Sequence, residues 1–404
     1  MLPRENISSR LVEPGSKPPV PIRPVQPPAR FRVAYVVYEL LSLGIVTHTL
    51  RLFGRLTPEA FATRVRAFFE RLGPLWIQAG KFLAMRSDLM PSEFARELSR
   101  LRDTAPGFPF DEVRKILEQE WGAPLERYFD EFTPAPFSAG SNFQLHRAKL
   151  RHEQVWVAVK VQRPYTREIV AQDLTAIRRV TQTLSYFRLW HKMRWADLYC
   201  EIEEQLTREV DFRFEASSLR ELKKSLPDHG VYVPDVFMDL CTERVLVMEY
   251  ISGVLLQDYL DVRQRDPARI LRWHEENGVE PRAVARRLFF SVWRQILEDN
   301  YFHADMHAGN VILLRNNQLA IIDCRAVGFF EIEQLRKQRM YYKALANTEF
   351  STAAEHSFLL AYRLPHVNLG EVKSEFIRIW RRWESRNFVR DLPPTEKSIT
   401  QMLD

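Results

Sequence analysis

The stretch W-V-A-V-K-V-Q, residues 156–162, sets Lys160 among valines in a run that reads as a β-strand. An ammonium held among buried side chains needs an anion beside it, whereas on an edge strand it faces water. The chain uses only twelve lysines against 46 arginines, so lysine at this place is a choice with consequences. A fold built on the buried alternative must bring a carboxylate onto this strand from elsewhere in the chain.

A second stretch, H-A-D-M-H-A-G-N at 303–310, sets Asp305 and Asn310 five residues apart. A short loop with that spacing can present a carboxylate to a hydroxyl while the amide oxygen reaches a Mg²⁺ ion, and Gly309 lets the backbone turn between them. Eighteen residues after Asp305, the strand-like L-A-I-I-D ends in Asp323. Mg²⁺ takes one or two carboxylates with phosphate oxygens and water, and Asp323 with Asn310 supplies such a half-shell. Lysine strand, Asp–Asn loop and strand-borne aspartate follow in the order of protein kinases, where the lysine holds nucleotide phosphates and pairs with a helix glutamate. For that glutamate the helical window before the second strand, V-L-V-M-E-Y at 245–250, offers Glu204, Glu209, Asp211 and Glu215. Spacing does not choose among them. The segment M-E-Y-I-S-G, beginning with Met248, Glu249 and Tyr250, fits a hinge whose backbone meets an adenine ring. No G-x-G-x-x-G precedes Lys160; the loop position reads P-F-S-A-G-S-N-F-Q-L-H-R-A, so this is not an ordinary protein kinase. A transition-metal site on His303, Asp305 and His307 would need a closed set of three or four ligands, and no second cluster of that type occurs.

The rest of the chain divides by composition. Residues 11–30 contain seven prolines and read as an extended or disordered leader. The apolar run 33–50 carries Glu39; it reads as a core or dimer helix, or as an element that associates with a membrane. Helical spacing covers 56–130 and 166–224, and the last 250 residues are dominated by helix. The net charge of +6 suits anionic partners such as nucleotide or phospholipid headgroups. No basic tail or nucleic-acid motif accompanies it, so nucleic acid is not an expected partner. Three scattered cysteines without C-x-x-C spacing point to a reducing compartment, and the polar, proline-rich start lacks a signal-peptide layout.

Taken together these motifs resemble the UbiB/AarF family of atypical kinase-like proteins, over roughly residues 70–330. That family replaces the glycine-rich loop with an alanine-rich one, here running from Ser138 through Ala139, Gly140 and Ser141 to Gln144, His146 and Ala148. Its V-A-V-K-V-Q-x-P follows unchanged through Pro164, its E-x-D falls on Glu209 and Asp211, and its H-A-D-P-H-P-G-N on His303–Asn310, with Met306 and Ala308 replacing the prolines. The family's K-x-G-Q reads Gln78-Ala79-Gly80-Lys81, with lysine and glutamine exchanged. Position 325, glycine in the family, is Arg325.

The resemblance implies an α+β, two-lobed protein-kinase-like fold. Its expected parts are a disordered leader (1–30), a helical N-terminal extension (31–130), a small β-containing N-lobe (131–251) and a larger helical C-lobe (252–404). It implies ATP and Mg²⁺ as ligands, Glu215 as the partner of Lys160, and Asp305 as the group facing the acceptor. Ala139, Gly140 and Ser141 would lie over the nucleotide, and Asn310 and Asp323 would hold the metal. Gln78, Lys81, Glu209, Asp211 and Arg325 take regulatory positions, since the missing lysine restrains protein-kinase activity in the family. The implied setting is isoprenoid-quinone or other lipid metabolism, in the cytoplasm or peripherally at the inner face of a membrane. A scaffold that binds nucleotide without turnover is the alternative. The hydrophobic C-terminal segments common in the family are not seen here, which leaves residues 33–50 as the expected membrane contact. Oligomeric state is not legible.

Overall fold

In the computed structural model the two valine-rich runs become neighbouring strands of one sheet. The structure describes residues 3–11, 19–25, 32–54, 57–85, 92–99, 101, 106–186, 195–361, 364 and 367–384. The elements begin with five helices, α1 (Arg32–Leu52), α2 (Pro58–Leu72), α3 (Pro74–Met85), α4 (Ser92–Leu98) and α5 (Phe110–Trp121). Strands β1 (Phe129–Phe132), β2 (Ser138–Ala139), β3 (Phe143–Leu150) and β4 (Trp156–Gln162) follow, then α6 (Thr166–Tyr186), α7 (Trp195–Glu209) and α8 (Phe212–Ser225). Next come β5 (Val231–Tyr232), β6 (Val245–Glu249) and β7 (Val254–Leu255), then α9 (Leu256–Arg265), α10 (Pro267–Asn277) and α11 (Pro281–Arg294). The last are β8 (Phe302–His303), β9 (Val311–Leu313), β10 (Leu319–Ile321), β11 (Val327–Gly328), α12 (Ile332–Ala346), α13 (Phe350–Leu360) and α14 (Leu369–Glu384).

Two compact units result. One comprises residues 12–217 and 235–250, the other residues 1–11, 218–234 and 251–404. In the first unit the sheet order is β1-β3-β4-β6, with β2 also on β3, and every pairing is antiparallel. β4 lies between β3 and β6, and its side chains from Val157 to Gln162 are buried on both faces of the sheet. Val157, Val159 and Val161 point into a core with Ile116 and Leu117 of α5 and Val245 and Val247 of β6. The two-residue period puts Ala158, Lys160 and Gln162 on the opposite face. This is why a run that looks uniformly apolar can carry a lysine on one side only.

Helices α1–α4 pack with α6 and α7 around a separate core that includes Phe68, Phe69, Trp76 and Leu206. The start of α2 is set by Thr57, whose hydroxyl accepts from the Ala60 N–H at 3.2 Å, with Pro58 in the first turn. Gly80 in α3 is closely packed: a Cβ there would lie 2.5 Å from the Leu101 side chain, which would have to shift. Helix α1 divides its character along its length. Val36 and Glu39 are buried, and Arg71 of α2 donates to Glu39 at 2.7 Å, which removes the cost of that carboxylate. Tyr38, Leu41, Ile45 and Phe53 are 61–73% exposed on or just past it. By length and composition α1 alone among the described helices could cross a membrane, and only 11% of its apolar window is buried.

The second unit holds the sheet β5-β10-β9-β7 and the short ladder β11-β8, set among α9–α14. The leader, expected to be disordered, has described parts with specific partners. Leu11 is buried, Ser8 Oγ donates to the Leu313 carbonyl at 2.9 Å, and Trp273 Nε1 donates to the Ser9 carbonyl at 2.8 Å. In the first unit Ile22 bridges to Gly107. Backbone pairing, buried Ser8 and half-buried Ser9 bind these pieces where composition alone implied none.

Candidate active site

Lys160 has the carboxylate that the strand demanded. Its Nζ lies 2.7 and 2.8 Å from the two oxygens of Glu215, and both side chains are 2% exposed. The rings of Phe143 and Phe212 stand 4.4 and 5.4 Å from the ammonium, adding cation–π contact. Structure thus selects Glu215 among the four acids of the window. Asp211 has a supporting role: its Oδ1 accepts from the Arg213 N–H at 3.0 Å, capping the helix that carries Glu215. Burial alone would raise the Asp211 carboxyl, but the Arg213 hydrogen bonds outweigh it and hold the group below its ordinary value. Glu209 contributes its carbonyl, which accepts from Asn142 Nδ2 at 3.3 Å.

The alanine-type loop is braced from β4. Arg163, just past its end, donates to the carbonyls of Gly140 and Ser141 at 3.2 and 2.9 Å. Gly140 lies so close to Phe143 that an added Cβ would sit 2.6 Å from the ring. Phe143 and Arg163 were not legible as site residues; nothing in the spacing marks them. At the hinge position Met248 is buried and pairs with Ala158. Glu249 and Tyr250 spend their N–H groups on the carbonyls of Asp235 and Trp156, at 2.8 and 3.0 Å. Both of these N–H groups are therefore engaged within the protein.

In the second unit His303 organises the loop. The chain enters it from a π-helical turn, Gln295–Asp299, ended by Asn300 at φ 51°. Asparagine tolerates that left-handed backbone. Gln295 Oε1 accepts from the His303 N–H at 2.9 Å. His303 Nδ1 accepts from the Asp305 N–H at 3.1 Å, which leaves Nε2 to donate to the Asp323 carbonyl at 2.5 Å. Burial lowers the His303 pKa, against the opposing pull of that carbonyl, so the ring is neutral with its proton on Nε2. One imidazole therefore ties the Asp305 loop to the Asp323 strand. Asn310 Nδ2 donates to the Asp305 carbonyl at 3.2 Å, and Ile322 N–H to the Asn310 carbonyl at 3.1 Å. Asp305 itself points outward, its side chain 49% exposed. With both His303 nitrogens engaged, the transition-metal alternative has no support, and no cluster of three or more His, Cys, Asp or Glu suited to a metal occurs among the described residues.

The fit to Mg²⁺ is divided. Asn310 is buried and its amide is oriented by its nitrogen, which suits a metal ligand. Asp323 does not suit one: both its oxygens lie 3.0 Å from Arg325 Nε, and Oδ1 also accepts from the Arg325 N–H at 3.2 Å. Arg325 is not among the described residues with positive φ, so arginine occupies the family's glycine position without backbone strain. In the K-x-G-Q region, Gln78 and Lys81 lie on α3, with Ala79 and Gly80 buried between them. The Gln78 side chain lies outside the described residues.

A sheet bearing the Lys160–Glu215 pair, and an Asp–Asn loop tied to a strand-borne aspartate, define an α+β protein-kinase-like fold. A family model, the ABC1 atypical kinase-like domain, matches residues 100–357. The chain belongs to that family, in the UbiB/AarF group its motifs resemble. Curated relatives include "Probable protein kinase UbiB" of Tolumonas auensis, 29% identical over 79% of this chain and 58% of its own length. The same protein of Vibrio cholerae is 30% identical over 74% and 54%, and that of Aeromonas salmonicida 31% over 72% and 52%. The chain thus spans about half the length of the curated relatives it matches. A solved Mycobacterium tuberculosis protein, Rv3197 in complex with erythromycin, shares the fold with a TM-score of 0.52 at 20% identity, over 91% of this chain and 88% of that one.

Proposed function

We propose that the chain binds an adenine nucleotide and acts as a UbiB-type kinase or ATPase in isoprenoid-quinone or related lipid metabolism. The Lys160–Glu215 pair carries this reading, because a bidentate, fully buried pair is the arrangement that orients nucleotide phosphates in kinases. Asp305, on a loop held by His303 and Asn310, is the group to orient or deprotonate an acceptor hydroxyl. The loop 138–143, braced by Arg163, would lie over the phosphates. A second reading, a nucleotide-binding scaffold without turnover, is favoured by the contact of Arg325 with Asp323.

One pair of measurements separates the two. Calorimetry with ATP and ADP should show binding, and Asp305→Asn, at an exposed side chain, should keep it. That variant should lower ATP hydrolysis or transfer by about 10²–10⁴-fold, the usual worth of a general base. Binding with no turnover in the natural chain selects the scaffold; no binding of either nucleotide overturns both readings. Membrane contact, in this proposal, runs through the exposed side of α1. Flotation with anionic liposomes should be lost on deleting residues 32–54, and unchanged flotation would rule that helix out.

A further inference from the structure

The disagreement between Asp323 and a Mg²⁺ site has its own consequence. A Mg²⁺ ion would need a carboxylate oxygen at about 2.0–2.1 Å, so it would first have to displace any cation already on that oxygen. Here Arg325 Nε stands 3.0 Å from both oxygens, with each side chain 15% exposed. The guanidinium cannot deprotonate, so its charge is permanent.

The backbone around Arg325 is pinned on both sides. His303 donates to the Asp323 carbonyl, the Ala304 N–H donates to Ala326 at 2.9 Å, and Val327 pairs with His303 in the ladder. The arginine is therefore delivered to Asp323 by a fixed loop, not by a wandering side chain. The chain contains a second Asp-x-Arg closure of the same form: Arg213 reaches Asp211 through its N–H at 3.0 Å and its Nε at 3.0 and 3.2 Å. That arginine is 56% exposed although its Asp211 is 14% exposed, and it also reaches Glu243 at 2.7 Å, so the arginines and not the carboxylates differ in burial. Burial distinguishes the two. In the open, such a pair exchanges readily with ions in solution; at 15% exposure, replacing it means desolvating a new ion and releasing a guanidinium.

We propose that Arg325 is a tethered cation standing in for a divalent ion on Asp323, so that this chain binds nucleoside phosphate largely without divalent metal. The inference rests on the nucleotide reading above and narrows it. It also gives the scaffold alternative a cause, since a monovalent fixed charge neutralises phosphate without supplying a metal's geometry.

The test uses the full chain and calorimetry with ATP, in EDTA and in excess Mg²⁺, on the natural protein, Arg325→Gly and Arg325→Gln. The glutamine variant keeps a hydrogen-bond donor to Asp323 but no charge, so one interpretable variant remains should glycine impair folding. Natural protein should bind within about threefold in the two buffers, while the variants should gain at least about tenfold with Mg²⁺ once Asp323 is open to it. Mn²⁺ titration followed by electron paramagnetic resonance should show tighter binding to the variants than to the natural chain, a readout independent of turnover. Equal Mg²⁺ enhancement and equal Mn²⁺ binding in all three proteins would overturn the inference and leave nucleotide binding intact. No heat from ATP in any protein or buffer would instead overturn the nucleotide reading, and this inference with it.

Discussion

Replacing Glu215 with alanine should destabilise the first unit by about 3–5 kcal/mol, because it removes the carboxylate that lies 2.7 and 2.8 Å from a buried ammonium. Lys160 sits at 2% exposure, with the rings of Phe143 and Phe212 beside its ammonium. Lys160→Met leaves the buried Glu215 carboxylate without its ammonium and should cost a similar amount, relieved in part if the carboxyl takes up a proton. The double variant Lys160→Met/Glu215→Leu removes both charges, and its neighbouring aromatic rings accept apolar side chains. It should recover most of the stability while nucleotide binding stays absent. Denaturant unfolding of the three variants, read beside calorimetry, checks this. A double variant no more stable than the singles would mean that the pair is not what the local structure is built around.

Deleting residues 1–11 should lower stability of the second unit by about 3 kcal/mol, from the polar groups it exposes or strands. Asn277, 2% exposed, exchanges two hydrogen bonds with Ser9: it accepts from the N–H at 2.6 Å and donates to Oγ at 2.8 Å. Trp273, fully buried, donates its indole N–H to the Ser9 carbonyl. Arg269 donates to the Arg10 carbonyl at 3.0 Å, and the Arg315 N–H to Asn6 at 3.1 Å. Without the segment, these donors must find water in sites shaped for peptide. Thermal melting of the deletion beside Ser9→Ala measures the effect; an unchanged midpoint for the deletion would show that the segment only lies on the surface.

Much of the site could be read before any coordinates. Strand β4 falls on residues 156–162 as the valine pattern requires, and the second strand ends at Glu249, one residue short of the apolar run. Local patterns were sufficient there because strand period and loop spacing are short-range properties. The leader was the clearest departure. Seven prolines in residues 11–30 exclude helix, yet Ile22 among them bridges to Gly107, and Ser8 and Ser9 just before them find partners over 260 residues away. At the hinge position, what the N–H groups of Glu249 and Tyr250 bond to depends on Asp235 and Trp156, which lie elsewhere in the chain.

By itself the sequence determined the order of the chemical groups: lysine strand, Asp–Asn loop, strand-borne aspartate, and an arginine two residues after it. Those follow from residue identity and spacing along one chain. Only the tertiary structure decided which acid meets Lys160, that His303 is neutral and joins two loops, and that Arg325 turns onto Asp323. The physical reason is the same in each case. Pairing, burial and protonation depend on which groups share a dry volume, and residues distant in sequence supply that volume's other half.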